Sequence, residues 1–114
     1  MFDQLKALTQ LGPMMAKAKE MQAKMQEVQA RLPLIKGTGQ SGGGLVTVVA
    51  NGLFEVESIA YATSAPLTDT ELLADLTRAA VNQAIKNAQT IVQNEMQDAA
   101  GGMDLGALKG MLGQ

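Results

Sequence analysis

The 114-residue chain has neither cysteine nor histidine. With no thiol and no imidazole there is no disulfide framework, no thiolate metal site and none of the commonest catalytic nucleophiles and bases. That pair of absences argues against an enzyme, and no catalytic residue, metal site or cofactor is expected. Aromatic residues are almost missing as well: Phe2, Phe54 and Tyr61 are all there are. The core must therefore be built from Leu, Val, Ile, Met and Ala, with eight methionines supplying adaptable packing surfaces. No apolar run approaches the roughly 20 residues of a membrane span. Asp3 lies among the first residues and no long apolar run follows a basic start, so a signal peptide is not expected and the default expectation is a cytoplasmic protein without a membrane partner. Positive charge is also scarce, nine Lys and Arg against eleven Asp and Glu, and a net charge of −2 speaks against a strong electrostatic grip on nucleic acid. The charge is polarised along the chain. Residues 1–44 hold six cations and three acids, whereas residues 45–114 hold three cations and eight acids.

Only residues 36–61 read as β-structure. Leu45-Val46-Thr47-Val48-Val49-Ala50 is rich in β-branched residues, and Asn51-Gly52 separates it from Leu53-Phe54-Glu55-Val56-Glu57-Ser58-Ile59-Ala60-Tyr61. Asn-Gly between two such runs signals a hairpin closed by a two-residue type I′ turn, which needs φ > 0 at both central positions. On the other side of Ser41-Gly42-Gly43-Gly44, the run Leu34–Gly39 can pair as a further antiparallel strand, making a three-stranded meander. That strand has little side chain to bury at Gly37 and Gly39. If it is an edge, its unpaired backbone groups must be covered or paired with another chain. Strict alternation in the last strand places Ile59 and Tyr61 opposite Phe54 and Val56, and a β-bulge near Glu57-Ser58 would return them to the face of Val56.

Helical sequence flanks the sheet. Residues 1–12 have a weak helical pattern ending at Gly12-Pro13, and Pro13 suits the first turn of a new helix. From there Met14, Ala18, Met21, Met25, Val28 and Leu32 recur at spacings of 4, 3, 4, 3 and 4, a coiled-coil-like seam that Pro33 terminates. A stripe so narrow covers one neighbour. Two readings compete for that neighbour: the second helix of the same chain, or a second copy across a dimer interface. Lys17, Lys24 and Arg31, seven residues apart, line up beside the seam. They form either a solvated flank or a strip of cations able to follow a phosphate backbone without reading sequence. The second helix opens after Pro66 with a capping box, Thr68 as N-cap and Glu71 at N3, and runs to about Met96. Its apolar stripe has Leu73, Leu76, Ala80, Ala84 and Ile91 on one side and Val81, Ile85, Ala88 and Val92 beside them. Ala79, Ala80 and Ala84 would let its backbone approach a sheet closely. Residues 99–114 are Gly-rich with scattered Leu and Met, expected to be mobile, with one short helix possible around Leu105–Leu112.

No stretch carries chemistry. Ser41-Gly42-Gly43-Gly44 lacks both the Gly-Lys-Ser/Thr ending and the following helix of a phosphate cradle, so a strand connection is expected. Glu55 and Glu57 have no third ligand and read as a solvated sheet face. Asn82, Gln83 and Asn87 have no evident partner; a helix surface and interfacial hydrogen bonding both remain open.

Several of these pieces together resemble the YbaB/EbfC family of bacterial nucleoid-associated proteins. They are the first helix MAKAKEMQAKMQEVQ, Gly39-Gln40-Ser41-Gly42-Gly43-Gly44-Leu45-Val46-Thr47-Val48 running to Asn51-Gly52, the Glu55-Val56 strand, LLADLTRAAVNQA from Leu72 to Ala84, and Gly101-Gly102. The resemblance spans about residues 14–102. It implies an α+β fold with a long N-terminal helix, a three-stranded antiparallel meander and a long second helix, assembled as a tweezer-like homodimer that binds duplex DNA with little sequence preference. Carried over by position, the DNA-binding role reaches Lys17, Lys19, Lys24 and Arg31. The expected organisation is a tail or short helix at 1–13, one domain at 14–98 and a flexible tail at 99–114. The expected activity is weak, non-specific phosphate contact from the first helices of a nucleoid-associated homodimer. The alternative is a non-enzymatic module that holds a protein partner through the Met-rich helix or the tail.

Overall fold

Among the described residues strand formation is confined to the β-branched centre of the chain, with good helix formers on either side. The computed structural model describes residues 2–100 and, within the first helix, the side chains of residue 5 and of residues 9 onward. The element order is α1 (Phe2–Arg31), a 3-10 turn at Leu32–Leu34, β1 (Lys36–Ser41), β2 (Val46–Asn51), β3 (Val56–Tyr61) and α2 (Thr70–Ala99). This is the α+β arrangement the sequence predicts. The Gly/Met-rich tail, including the short helix expected near Leu105–Leu112, lies outside the described residues. Two units are distinguished, residues 2–29 with 96–100, and Ala30–Glu95.

In the first unit α1 runs unbroken through Pro13, so the expected break at Gly12-Pro13 is not there. Proline forgoes one helical hydrogen bond in such a position. Leu, Ala, Met and Lys on both sides are strong helix formers and carry the helix across it. Of the seam residues in this unit, Met14, Ala18 and Met25 are exposed, Met21 is half-buried and Val28 is buried.

In the second unit the sheet order is β1-β2-β3, both pairings antiparallel. Val49 faces Ser58 while Ala50 faces Val56, leaving Glu57 as the extra residue. The bulge therefore falls where the broken alternation placed it. Directly opposed residues share a face, so Val56, Ile59 and Tyr61, paired with Ala50, Val48 and Val46, all lie on the core side. Against that side packs α2, and the core is Val46, Val48 and Ala50 on Ala80, Ala84 and Ala88, flanked by Leu73, Leu76, Val81 and Ile85. Ala79, expected at this contact, is exposed.

Gly37 and Gly39 are the reason α2 can sit so low. A Cβ on Gly37 would lie 2.3 Å from the Ala88 nitrogen, and one on Gly39 would lie 2.2 Å from the Ala80 carbonyl oxygen. The strand that looked poor in side chains to bury is thus buried by backbone. Ser41 continues the same face and donates to the Leu76 carbonyl (2.5 Å).

Of the two turns, the first is as expected and the second is not. Ser41-Gly42-Gly43-Gly44 is a strand connection, with φ of 60°, 69° and 99° at the three glycines. The β2–β3 hairpin is present, but not with a type I′ turn. The Phe54 N–H donates to the Asn51 carbonyl (3.0 Å), and Phe54 itself takes the positive φ, 64°. This is a longer loop, a turn followed by a left-handed residue. The Asn51 side-chain oxygen accepts from the Leu53 and Glu55 N–H groups (2.9 and 3.2 Å), which is how a buried asparagine is satisfied here. Gly52 serves another purpose: its N–H donates to the Leu32 carbonyl oxygen (2.8 Å), from which a Cβ would stand only 2.5 Å.

The start of α2 is likewise shifted by one residue. Asp69 caps it, its carboxylate accepting from the Leu72 N–H (3.1 Å), in place of the expected Thr68 box.

Candidate nucleic-acid interface

Lys17, Lys19 and Lys24 project from α1 in the first unit, and Arg31 ends the same helix in the second. Lys17 and Lys24 lie two turns apart on one helix face, about 10 Å along the axis at 1.5 Å per residue. Lys17 and Lys19 are exposed and make no ion pair among the described residues. Lys24 is held at 3.4 Å by Glu20 one turn earlier, a surface pair of only about 0.3–0.5 kcal/mol. Arg31 is bound more closely, 2.8 Å from Glu95 of α2, with its side chain still half exposed. Of the four cations, then, two make no ion pair among the described residues, one is weakly occupied and one is committed to an acid within its own unit. Of the seam, Leu32 belongs to the second unit and is half-buried.

Sequence reasoning passed over a further cation. Residues 76–94 contain no Asp or Glu, lying between Asp75 and Glu95, and Lys86 sits within them, exposed and without an ion pair among the described residues. The acid-free run in an acidic chain was the available signal. Beside Lys86, the amides of Gln83 and Asn87 turn out to have partners on β1. The Gln40 N–H donates to Gln83 Oε1 (2.6 Å), and Asn87 Nδ2 donates to the Thr38 carbonyl (2.5 Å). Thr38, Gln40, Gly43, Gly44, Gln83 and Asn87 line an open depression of about 470 Å³.

The acids of the sheet do not form a site either. Glu55 lies before β3, and Glu57, at the bulge, pairs with Lys36 across the sheet. The hydrogen bond from Lys36 holds the Glu57 carboxyl below its usual value. Among the described residues no cluster of three potential metal ligands is present, and no helix is long and apolar enough to cross a membrane.

Comparison with known proteins bears on what such a surface does. The model of the YbaB/EbfC DNA-binding family matches residues 7–103. The chain belongs to that family. A nucleoid-associated protein of Granulibacter bethesdensis is 39% identical over 101 residues, covering 88% of this chain and 94% of its own. One from Mesorhizobium japonicum is 39% identical over 93 residues, covering 81% and 87%. Among solved structures, an uncharacterized protein of Helicobacter pylori superposes with a TM-score of 0.58 at 27% identity, over 75% of this chain and 88% of that one. The YbaB/EbfC match includes α1 from residue 7 on, the sheet and α2, so every cation discussed above falls inside it.

Proposed function

We propose that this protein binds duplex DNA as a homodimer with little sequence preference, through phosphate contacts from the first helices, and acts in the cytoplasm on nucleoid organisation or gene expression. The observation that carries the reading is the pair of exposed lysines, Lys17 and Lys19, which make no ion pair among the described residues, on the long helix of a DNA-binding family member. Lys24 joins them by exchanging Glu20 for a phosphate, a small sacrifice at a solvent-exposed pair. Arg31 must release Glu95 and contributes least. Dimerisation doubles the strip, which makes a local positive surface on a molecule of negative net charge. The exposed methionines of the seam and the apolar side of β3 are the surfaces offered to the second copy. Val56, Ile59 and Tyr61 are 40%, 43% and 43% exposed there.

Fluorescence anisotropy with two unrelated duplexes at two salt concentrations, with mass measured on the same sample, tests this. Affinity should fall steeply with salt and be alike for both duplexes, each phosphate contact contributing about 0.9 to the logarithmic slope. Replacing Lys17, Lys19 and Lys24 by Glu should abolish binding at moderate salt. Unchanged binding by that variant refutes the site. No binding by the wild type at low salt would favour a protein partner on the methionine face instead.

A further inference from the structure

The sheet has two edges, β1 and β3, and α2 treats them in opposite ways. An exposed strand edge is a template for another strand, and proteins blunt such edges with charge, proline, bulges or a covering element. On β1 the covering is specific. Gln83 and Asn87, one turn apart on α2, take the Gln40 N–H and the Thr38 carbonyl, which point away from β2. The two spacings match, since four residues of helix rise about 6 Å and two residues of strand advance about 6.7 Å. Gly37 and Gly39, alternating with those two residues, bring the α2 backbone close enough for short amide side chains to reach past the core to the edge. The depression alongside, lined in part by Gly43 and Gly44, is open to solvent. It is therefore the two hydrogen bonds, not bulk, that occupy the edge.

Nothing comparable guards β3. Among the described residues no side chain bonds to its outer backbone, and beyond the bulge at Glu57 it runs in regular register from Ser58 to Tyr61. We propose that Gln83 and Asn87 close β1 to strand addition and so confine sheet-mediated association to the β3 edge, holding assembly to a closed pair of chains. The stoichiometry in this proposal rests on the homodimer reading above; the closure of β1 does not.

The test is the mass of the full chain by light scattering across a hundredfold range of concentration. A Gln83→Ala/Asn87→Ala variant should keep its helical circular dichroism yet grow beyond the wild-type mass as concentration rises. Gln83→Glu retains the acceptor for the Gln40 N–H and should keep the wild-type mass. Adding Gln40→Pro to the double alanine variant removes the N–H that an incoming strand would use, and should reverse the growth. A double alanine variant that stays at wild-type mass overturns the proposal, as does growth that Gln40→Pro leaves untouched. Should the double variant not fold, hydrogen exchange in the wild type decides. The Gln40 amide should exchange at least tenfold more slowly than an unprotected edge amide, and fast exchange overturns the closure. A wild type that is monomeric throughout removes the homodimer reading, while growth of the double variant would still uphold the closure of β1.

Discussion

Replacing Gly39 by alanine tests how α2 is seated. The added Cβ would stand 2.2 Å from the Ala80 carbonyl oxygen and 2.4 Å from the Ala84 nitrogen, where ordinary contact begins at 3.4 Å. Both obstacles are helix backbone, so no side-chain rotation relieves them. The helix must withdraw by about an ångström, and a gap of 0.5–1 Å already forfeits about a quarter to a half of each dispersion contact. That loss falls on Ala80, Ala84 and Ala88 over Val46, Val48 and Ala50. The withdrawal also stretches the Gln83 and Asn87 bonds to β1, worth about 1 kcal/mol each. Overpacking alone costs about 1–3 kcal/mol, so a total near ~4 kcal/mol is expected, a large share of a stability of about 5–15 kcal/mol. In urea titrations followed by circular dichroism at fixed protein concentration, the midpoint should drop by about 2 M for a slope near 2 kcal/mol per M. Gly12→Ala is the control, since its Cβ meets nothing within 4 Å and lies in a helix. It should gain up to about 1 kcal/mol. A Gly39→Ala loss under about 1 kcal/mol would mean that the close approach is not what seats α2.

Three further outcomes follow from local geometry. Asp69→Ala should lower stability by about 1 kcal/mol while Thr68→Ala changes it by less than ~0.5 kcal/mol, measured by the same titration, because Asp69 holds the cap. Phe54→Gly should raise stability by up to about 1 kcal/mol, since a left-handed backbone penalises a bulky residue by about that much or more and the side chain is 44% exposed; a clear loss would show that the ring is held by something stronger. The pH dependence concerns Glu57, whose carboxyl binds a proton less readily in the folded chain than its ordinary 4.5 because Lys36 hydrogen-bonds it. Its contribution is present above that ordinary value and is lost as pH falls through the lowered one. The stability difference between wild type and Glu57→Gln should therefore be larger at pH 7 than at pH 3, and a constant difference would rule out the Lys36 pairing as its source.

The parts of the fold that the sequence made legible are those governed by periodicity. The alternation of apolar residues in β3 fails at one point, and an inserted residue restores Val56, Ile59 and Tyr61 to a common face, so a bulge near Glu57-Ser58 could be placed from pattern alone. The α2 stripe likewise named the core alanines Ala80, Ala84 and Ala88, whereas Ala79, also expected at the sheet, is exposed. What escaped was decided by approach distances and by hydrogen bonds between segments distant in sequence. Asn51-Gly52 carries the composition of a type I′ turn, but Gly52 is engaged by the Leu32 carbonyl and Asn51 caps its own loop. Gly37 and Gly39 looked like weak points of a strand because nothing in the sequence says that a helix backbone will lie on them. Gln83 and Asn87 had no visible partner for the same reason, their donor and acceptor being some 40 to 50 residues away. The cationic positions of α1 were legible as a line, whereas the acids that occupy Lys24 and Arg31 depend on helix geometry in one case and on tertiary packing in the other.

The meeting of Gly37 and Gly39 with Ala80, Ala84 and Ala88 also limits how this protein can change over time. In an ordinary core, a side chain that grows can be accommodated by a neighbour that shrinks, and pairs of substitutions drift together. Here the strand side already has no side chain, and what blocks a new one is peptide backbone, which no substitution makes smaller. The two glycines consequently have no second-site suppressors on the facing helix. Any lineage carrying this α2 seat must keep both, whatever happens at the exposed positions of the chain.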